Sequence, residues 1–397
     1  MPSDYISELS PEERLLLSLC RLDFSDKQKT EIASLVSMVT DWDHFVTLAN
    51  EHCVIALCWY NLTDTGNTGG IPPGKLDLLH SAYLKSLAQN ARLLQQLEEI
   101  ASLANKEDIK IVMLKGGVLE RTYYGDKGLR QLSDIDLLTR PEDAIHLRDL
   151  LLKNGFVSVP LISPLHRNLL PWIKKHLPLI EKNGIAVEIH VKLFENDSAS
   201  LTNELFNTSY RPAGNNGGYF YPVMQFHFLY LIQHLYRHLK TKDLKLKLYT
   251  DLVILLKKDG SNILNKQLGS LLGKVHLEKE FRSLIEIINI FWGTDFKYIP
   301  EWAEDSTDYR ESARLFINFL RFPLTDISNK KSEPLLKPLK EIPGFINKLK
   351  FLTGYLFPSF LYMKYKYNSR TYLSALLFYP VRLANLAGRM IVRKRVH

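Results

Sequence analysis

The stretch RQLSDIDLLTR, residues 130–140, places two carboxylates two positions apart within a short apolar run. Ile135 and Leu137 have the composition of a buried strand. Side chains alternate between the two faces of a strand, so Asp134 and Asp136 share one face while their apolar neighbours pack on the other. Two adjacent carboxylates repel each other and raise each other's pKa unless a cation lies between them. The stretch therefore predicts a core strand whose aspartates bind a cation.

A second pair with the same spacing shows that the pattern alone is not specific. Asp41-Trp42-Asp43 stands before a helical pattern, where aspartates serve as capping or first-turn residues. We expect Asp41 and Asp43 to have that structural role. A D-x-D pair can arise by chance, so a metal site at 134 and 136 needs support from the residues around it.

The segment before this strand supplies part of that support. The run IKIVML at 109–114 is rich in β-branched residues and predicts a buried strand. It leads through Gly116 and Gly117 into a predicted helix. Glycines at such a turn let the backbone approach a phosphate closely, and the helix N-terminus offers free N–H groups. A plain tight turn would have the same sequence, and that alternative stays open.

A hairpin after the strand supplies a third acid. Residues 176–194 read HLPLIEKNGIAVEIHVKLF, with Asn183-Gly184 as the predicted turn. Glu188 stands between two apolar residues, and His190 shares its face. A surface strand with one solvated glutamate would look the same. Strands alternate with helical patterns throughout this region, which indicates an α/β unit.

The segments LKGG, SDIDLL and VEIH occur in this order, and together they resemble the nucleotidyltransferase superfold of the DNA polymerase beta type. That superfold combines a Gly-Gly or Gly-Ser turn, an acid-x-acid strand and a third acid on a later strand. More closely, KGGVLERTYYGDKGLRQLSDIDLL at 115–138 is similar to a bacterial family of nucleotidyltransferase-like proteins with helical flanks. The chain departs from the superfold at two points. A long loop of 16 residues separates Gly117 from Asp134, and Gly117 replaces a serine hydroxyl.

The resemblance implies a role for each matching residue. Asp134 and Asp136 would hold two Mg²⁺ ions, and Glu188 would complete the second metal site or act as base on the acceptor hydroxyl. Gly116 and Gly117 would hold the phosphates of a nucleoside triphosphate such as ATP.

Other polar residues complete the expected site. Lys115, Arg130 and Ser133 are expected to contact the nucleotide, and a solvated surface position is the alternative for the two cations. Four more residues are expected to line a cleft beside the core: His190, His234, His238 and Asp251. Histidines four positions apart can also hold zinc, but no HExxH motif accompanies them.

The expected fold class is an α/β (α+β) nucleotidyltransferase core with a mixed sheet, flanked by helical N- and C-terminal regions. Four consecutive segments are predicted: a helical region at 1–105, the α/β core at 106–215, a helical domain at 216–340 and a basic aromatic segment at 341–397.

The positive net charge is concentrated in the last of these segments. Residues 342–397 contain ten Lys or Arg and no Asp or Glu, which leaves 41 basic against 43 acidic residues in the rest of the chain. Three interpretations stay open for it: contact with an anionic membrane surface, contact with nucleic acid, or helices packed on the body with a solvated basic face. Pro358 and Pro380 argue against one continuous helix.

The resemblance implies a Mg²⁺-dependent enzyme that moves an NMP from an NTP to an acceptor hydroxyl and releases pyrophosphate. The acceptor is left open among a small molecule, a peptide and a protein, with nucleic acid less favoured. Two alternatives remain: transfer of a sugar or sugar phosphate from a nucleotide sugar, and a non-catalytic nucleotide-binding or scaffold protein. The odd number of scattered cysteines and the acidic N-terminus predict a cytoplasmic protein, with the inner membrane face as a candidate contact. The resemblance implies a bacterial protein.

Overall fold

The computed structural model describes residues 2–125, 128–194, 200–212, 218–297, 309–322 and 337–394. The α-helices are α1 Pro2–Ser7, α2 Pro11–Leu19, α3 Asp26–Met38, α4 Trp42–Glu51, α5 Ile55–Asp64, α6 Pro73–Lys106, α7 Lys115–Leu119, α8 Pro141–Lys153, α9 Leu170–Ile173, α10 Ser200–Thr208, α11 Met224–Thr241, α12 Leu246–Ile263, α13 Lys266–Val275, α14 Glu278–Trp292, α15 Tyr309–Arg321, α16 Lys337–Glu341, α17 Phe345–Leu356, α18 Phe360–Lys366, α19 Tyr372–Leu376 and α20 Phe378–Lys394. A π-helix at Glu120–Tyr124 continues α7, and a 3₁₀-helix at Pro164–Leu169 precedes α9.

The strands form a mixed five-stranded sheet in the order β1-β2-β5-β4-β3. Their bounds are β1 Val112–Met113, β2 Asp134–Leu138, β3 Val157–Ser158, β4 Ile180–Lys182 and β5 Ile185–His190. β4 pairs antiparallel with both β3 and β5, whereas Val112 forms a parallel bridge with Phe220. The predicted fold class, an α/β core with a mixed sheet and helical flanks, is confirmed.

The chain divides into two compact units built from discontinuous stretches. The first contains Met1–Ser102, Ile111–Asp136 and Leu193–Lys331, and the second contains Leu103–Lys110, Leu137–Lys192 and Ser332–His397. The four consecutive segments predicted from the sequence stay a prediction.

The strand β1 is shorter than the predicted run at 109–114. Val112–Met113 alone has strand geometry, but backbone hydrogen bonds extend to both neighbours. The Phe220 N–H donates to the Ile111 oxygen at 2.9 Å, and the Leu114 N–H donates to the Asp136 oxygen at 3.0 Å. Backbone hydrogen bonds therefore hold the apolar run on both sides over 111–114.

The helix α4 confirms the structural role of the second D-x-D pair. Asp41 is its N-cap, and its Oδ1 accepts a hydrogen bond from the His44 N–H at 2.8 Å. Asp43 lies in the first turn and pairs with Lys75 on the surface. Both carboxylates are thus used at a helix start: Asp41 satisfies a free N–H group, and Asp43 complements the helix dipole.

In the second unit, β4 and β5 form the predicted hairpin. Lys182 pairs with Ile185, and the two residues between them make the turn. Asn183 has φ +54° and Gly184 has φ +76°. A two-residue turn with both φ values positive matches the twist of the strands, and Asn-Gly tolerates it best.

The C-terminal helices α17 to α20 are separate, as the prolines predict. Helix α17 ends before Pro358, and Pro380 lies in the first turn of α20, where a proline is tolerated. Among the described residues, no helix has the length and apolar character needed to cross a membrane.

Candidate functional site

Asp136 lies in β2 beside the end of β1, and a lysine neutralises its carboxylate. Lys115 Nζ donates to Asp136 Oδ1 at 2.5 Å, and the two side chains are only 9% and 5% exposed. A charge-assisted hydrogen bond of this kind offsets much of the cost of burying both groups. Asp136 therefore carries an internal counter-ion. The sequence predicts that Lys115 contacts the nucleotide and gives no sign of this pair.

The backbone of Lys115 is held in an unusual conformation by a buried histidine. Its φ is +47°, in the left-handed region that non-glycine residues rarely adopt. The Lys115 N–H donates to Nε2 of His227 on α11 at 2.9 Å, and His227 is 0% exposed. Burial, aided by the Arg130 charge, lowers the pKa of His227 to about 3, so its ring is neutral and Nε2 accepts. His227 thereby fixes the residue that neutralises Asp136.

Arg130 is bound inside the first unit rather than presented to solvent. Its Nε donates to Asp251 Oδ1 at 2.9 Å and its Nη2 to Asp251 Oδ2 at 2.7 Å. The Tyr124 hydroxyl donates to the same carboxylate at 2.7 Å. Burial opposes the Arg130 charge, but the Asp251 carboxylate more than offsets it and raises the pKa of the guanidinium. Asp251 was expected in a cleft; with 2% of its surface exposed, it lies in the interior instead.

The two glycines at the start of α7 are closely covered by side chains. A Cβ on Gly116 would lie 1.9 Å from Arg130 Nη1 and 2.9 Å from Leu132 Cδ2. A Cβ on Gly117 would lie 2.7 Å from the sulfur of Met113. Packing therefore disfavours a side chain at Gly116, where Asp251 holds the guanidinium in place, whereas the flexible Met113 side chain could shift away from one at Gly117. Their role as a phosphate cradle stays a prediction.

An asparagine on α6 holds the backbone that leads into β2. Asn90 Nδ2 donates to the Arg130 oxygen at 2.9 Å, and its Oδ1 accepts from the Leu132 N–H at 3.1 Å. Asn90 is 0% exposed. Asn90 is not among the predicted site residues, since its only signal in the sequence is one polar side chain within a long amphipathic helix pattern.

Asp134 opens β2 and is only half-buried. Ser133 Oγ donates to Asp134 Oδ1 at 2.7 Å, so Ser133 contacts a predicted metal ligand. Gly117, Asp134 and Asp136 border one cavity of about 10 Å³, roughly the space of one water-sized sphere. The structure thus brings the predicted glycine turn and the aspartate pair together.

Glu188 and His190 share one face of β5, as predicted, with their side chains 3.3 Å apart between Nε2 and Oε2. His190 is buried, whereas Glu188 keeps 22% of its side chain exposed. β5 neighbours β2 in the sheet. One ligand atom from each of Asp136, Glu188 and His190 lies within 4.8 Å of the other two. Among the described residues, this is the group of acids and histidines that could hold a metal ion.

His234 and His238 lie on consecutive turns of α11, with ring centroids 4.4 Å apart. Burial lowers the pKa of His234 well below its ordinary value, Lys115 lowers it further, and Asp136 opposes the shift. His234 Nδ1 lies 3.2 Å from Arg237 Nη2 and accepts its hydrogen bond. The described part of the chain gives these histidines no three-residue ligand group, so the zinc alternative gains no support.

The donor set fits a divalent cation. Carboxylate oxygens such as those of Asp136 and Glu188 are the ligand type that Mg²⁺ prefers. The imidazole of His190 would suit a transition metal such as Mn²⁺ or Zn²⁺ equally well. The chemistry of the residues therefore supports a divalent metal and leaves its identity and the number of ions open.

An α/β core whose second strand carries an acid-x-acid pair beside a Lys-Gly-Gly helix start is the arrangement expected of a nucleotidyltransferase. A family model described as an uncharacterised nucleotidyltransferase matches residues 39–293. The match covers more than half of the chain, and the chain belongs to this family. The predicted family and enzyme class, a transferase of nucleotidyl groups, are confirmed. No curated protein and no solved structure matches the chain.

Proposed function

We propose that this protein transfers the NMP group of a nucleoside triphosphate to an acceptor hydroxyl, with a divalent metal, expected to be Mg²⁺, held by Asp134, Asp136 and Glu188. The observation that carries the proposal is Asp136: a carboxylate on a buried strand, 2.5 Å from the Lys115 ammonium, in a nucleotidyltransferase family member. When bound, the metal would neutralise phosphate charge and align the attacking and leaving oxygens.

The residues of the chain have distinct tasks in this proposal. Asp134 is half-exposed at the start of β2, and it is the carboxylate that an incoming metal–nucleotide complex reaches first. Asp136 is buried and fixed by backbone pairing, so it sets the position of the metal. Glu188, with 22% of its side chain exposed, is the candidate base for the acceptor hydroxyl.

Lys115 adds positive charge beside the position where phosphates would lie. Its ammonium forms a hydrogen bond with Asp136, and its backbone is held by His227. Because the backbone is fixed and the side chain is long, the ammonium can serve the carboxylate in the free enzyme and a phosphate oxygen in the complex. Arg130 acts differently: it is tied to Asp251 and packs against Gly116, so it positions the start of α7.

The experiment is a label-transfer assay. The protein is incubated with each α-labelled NTP, Mg²⁺ and a cell extract, and label is then sought in protein, small-molecule and nucleic-acid fractions. We expect label in one fraction with the wild type and none with Asp136→Ala. The matched control is Asp43→Ala, which removes an exposed carboxylate from the other D-x-D pair and should transfer as the wild type does.

Three outcomes would contradict the proposal. If Asp136→Ala transfers label as well as Asp43→Ala, then β2 does not carry the chemistry. If the wild type binds Mg-NTP and transfers no label, while a nucleotide sugar labelled in its sugar is consumed, the donor is a nucleotide sugar. If the wild type binds nucleotide and consumes neither donor, the chain is a non-catalytic binding protein.

A further inference from the structure

The C-terminal helices of the second unit carry many apolar side chains on their surface. Between Phe345 and Leu383, thirteen large apolar side chains are 39–79% exposed. The rest of the described chain has eleven such residues. Single exposed apolar residues are ordinary in a folded protein, but a dense group of them marks an interaction surface.

These side chains recur at helical spacing. Ile346 and Leu349 lie on one face of α17, exposed by 68% and 53%. Leu373 and Leu377 share a face of α19 and its C-cap, exposed by 78% and 75%. Positions three and four apart fall on the same side of a helix. An ordinary surface helix presents polar residues to solvent, whereas the outer faces of α17 and α19 are apolar.

The opposite faces of these helices pack against the rest of the second unit, which fixes the side of each helix that faces outward. Phe351 of α17 is 4% exposed and stacks on His166, with ring centroids 5.1 Å apart. Nε2 of His166 lies 2.9 Å from the Phe351 backbone oxygen and donates to it. Arg382 of α20 donates to the Tyr355 oxygen at 3.0 Å. The outer apolar faces are therefore not an unused core surface that could turn inward.

The charge of residues 342–397 indicates which kind of partner binds the exposed apolar side chains. Residues 342–397 carry ten Lys or Arg and no acid, and Lys350, Lys366 and Arg370 are exposed. A second copy of this surface would bring like charges together, which disfavours self-association. An anionic lipid surface offers negative headgroups to the cations and an apolar interior to the leucines and phenylalanines.

We infer that the surface formed by α17, α18, α19 and the start of α20, residues 345–383, binds the surface of an anionic lipid membrane. The exposed apolar side chains enter the boundary between headgroups and acyl chains, and the cations contact lipid phosphates. The binding is peripheral, in keeping with the absence of a membrane-crossing helix among the described residues. This surface contains none of the residues of the proposed transfer site, so the two proposals stand or fall separately.

The test is co-sedimentation of the full chain with vesicles of phosphatidylcholine mixed with phosphatidylglycerol, and with pure phosphatidylcholine. We expect binding to the mixed vesicles that weakens as salt is added, and little binding to the neutral ones. Leu373→Asp combined with Leu377→Asp should lower the partition coefficient by about tenfold or more, because two side chains no longer enter the apolar boundary. The control is Leu78→Asp on α6, which is 51% exposed and should bind as the wild type does.

A second variant tests the contribution of the cations to membrane binding. Neutralising Lys350, Lys366 and Arg370 together with glutamine should lower the partition coefficient by about a hundredfold, at about fivefold for each cation near the surface. Every substituted side chain is exposed, so thermal unfolding curves should match the wild type.

The inference is overturned if the wild type does not bind mixed vesicles, if neutral vesicles bind it equally well, or if the double aspartate variant retains binding. A dimer that the same variant dissociates, without vesicle binding by the wild type, would instead assign the surface to a second copy. Salt-sensitive binding of a single-stranded RNA without vesicle binding would assign it to nucleic acid.

Discussion

Replacing Lys115 by methionine removes the cation that neutralises Asp136 and leaves the shape of the site nearly unchanged. The two side chains are 9% and 5% exposed and form a 2.5 Å hydrogen bond, so the aspartate would remain in the interior without its charge partner. Breaking a buried ion pair from one side costs about 3–5 kcal/mol of folding free energy. A native protein is stable by about 5–15 kcal/mol, so the variant is expected to stay folded but close to its limit.

A divalent metal at Asp136 should restore part of this loss. A ligand that binds only the folded state, present at about a hundred times its Kd, stabilises by about 2.7 kcal/mol. In Lys115→Met the metal meets no competing ammonium, so Mg²⁺ should raise the unfolding free energy more than it does in the wild type. The double variant Lys115→Met with Asp136→Leu replaces both partners by apolar groups and should recover most of the stability.

The assay is urea unfolding followed by tryptophan fluorescence, with Mg²⁺ and with a chelator. Lys29→Met, which removes an exposed lysine from α3, is the matched control and should stay within about 0.5 kcal/mol of the wild type. The reasoning is refuted if Lys115→Met loses less than about 1 kcal/mol, a value typical of an exposed pair. It is also refuted if Mg²⁺ stabilises the variant that lacks both charges as much as it stabilises Lys115→Met.

Three further substitutions follow from the first unit. Asp251→Asn should lower the unfolding free energy by about 3 kcal/mol or more in urea, because it leaves the buried Arg130 guanidinium without its counter-charge. Gly116→Ala should lower the unfolding free energy by about 1–3 kcal/mol in the same assay, since the added methyl group meets a guanidinium that cannot move away. Its control is Gly74→Ala, which has no neighbouring atom within 4 Å and should not lower the unfolding free energy. His227 has a pKa of about 3 in the folded protein and about 6.5 in the unfolded chain, so the unfolded chain binds the proton more readily. Its contribution to the unfolding free energy is therefore complete above pH 6.5 and falls by about 1.4 kcal/mol per pH unit below that. His227→Gln, which keeps an acceptor, should remove that slope between pH 4 and 6.

The parts of the molecule that local sequence determines were predictable. The Asn-Gly turn at 183–184 requires positive φ at both positions, and few other residue pairs supply it. Asp41 caps α4 through an atom three residues away. The apolar composition of β2 puts Ile135 in the core, and Asp134 at its first position is half-exposed. Each of these features depends on residues within one turn or one strand, so a single sequence contains the information.

The connections that hold the site in place were not predictable in the same way. Lys115 and His227 are 112 positions apart, and the backbone N–H that joins them leaves no mark on residue type. Arg130 and Asp251 are 121 positions apart. An arginine near a predicted phosphate site has the same sequence signal whether it binds a ligand or a distant carboxylate. Whether the arginine binds a ligand or a carboxylate depends on the packing of α12 beside the loop before β2.

The two aspartates of β2 differ in a way that the D-x-D spacing conceals. Asp136 is buried, paired through its backbone with Leu114 and neutralised by Lys115. Asp134 is half-exposed, and its Oδ1 accepts a hydrogen bond from the hydroxyl of Ser133. A buried carboxylate depends on such a counter-ion to offset the loss of its hydration, whereas a half-exposed one keeps part of its hydration. The strand can therefore tolerate two acids because only Asp136 needs an internal cation, and under the proposed function both carboxylates would contact the metal.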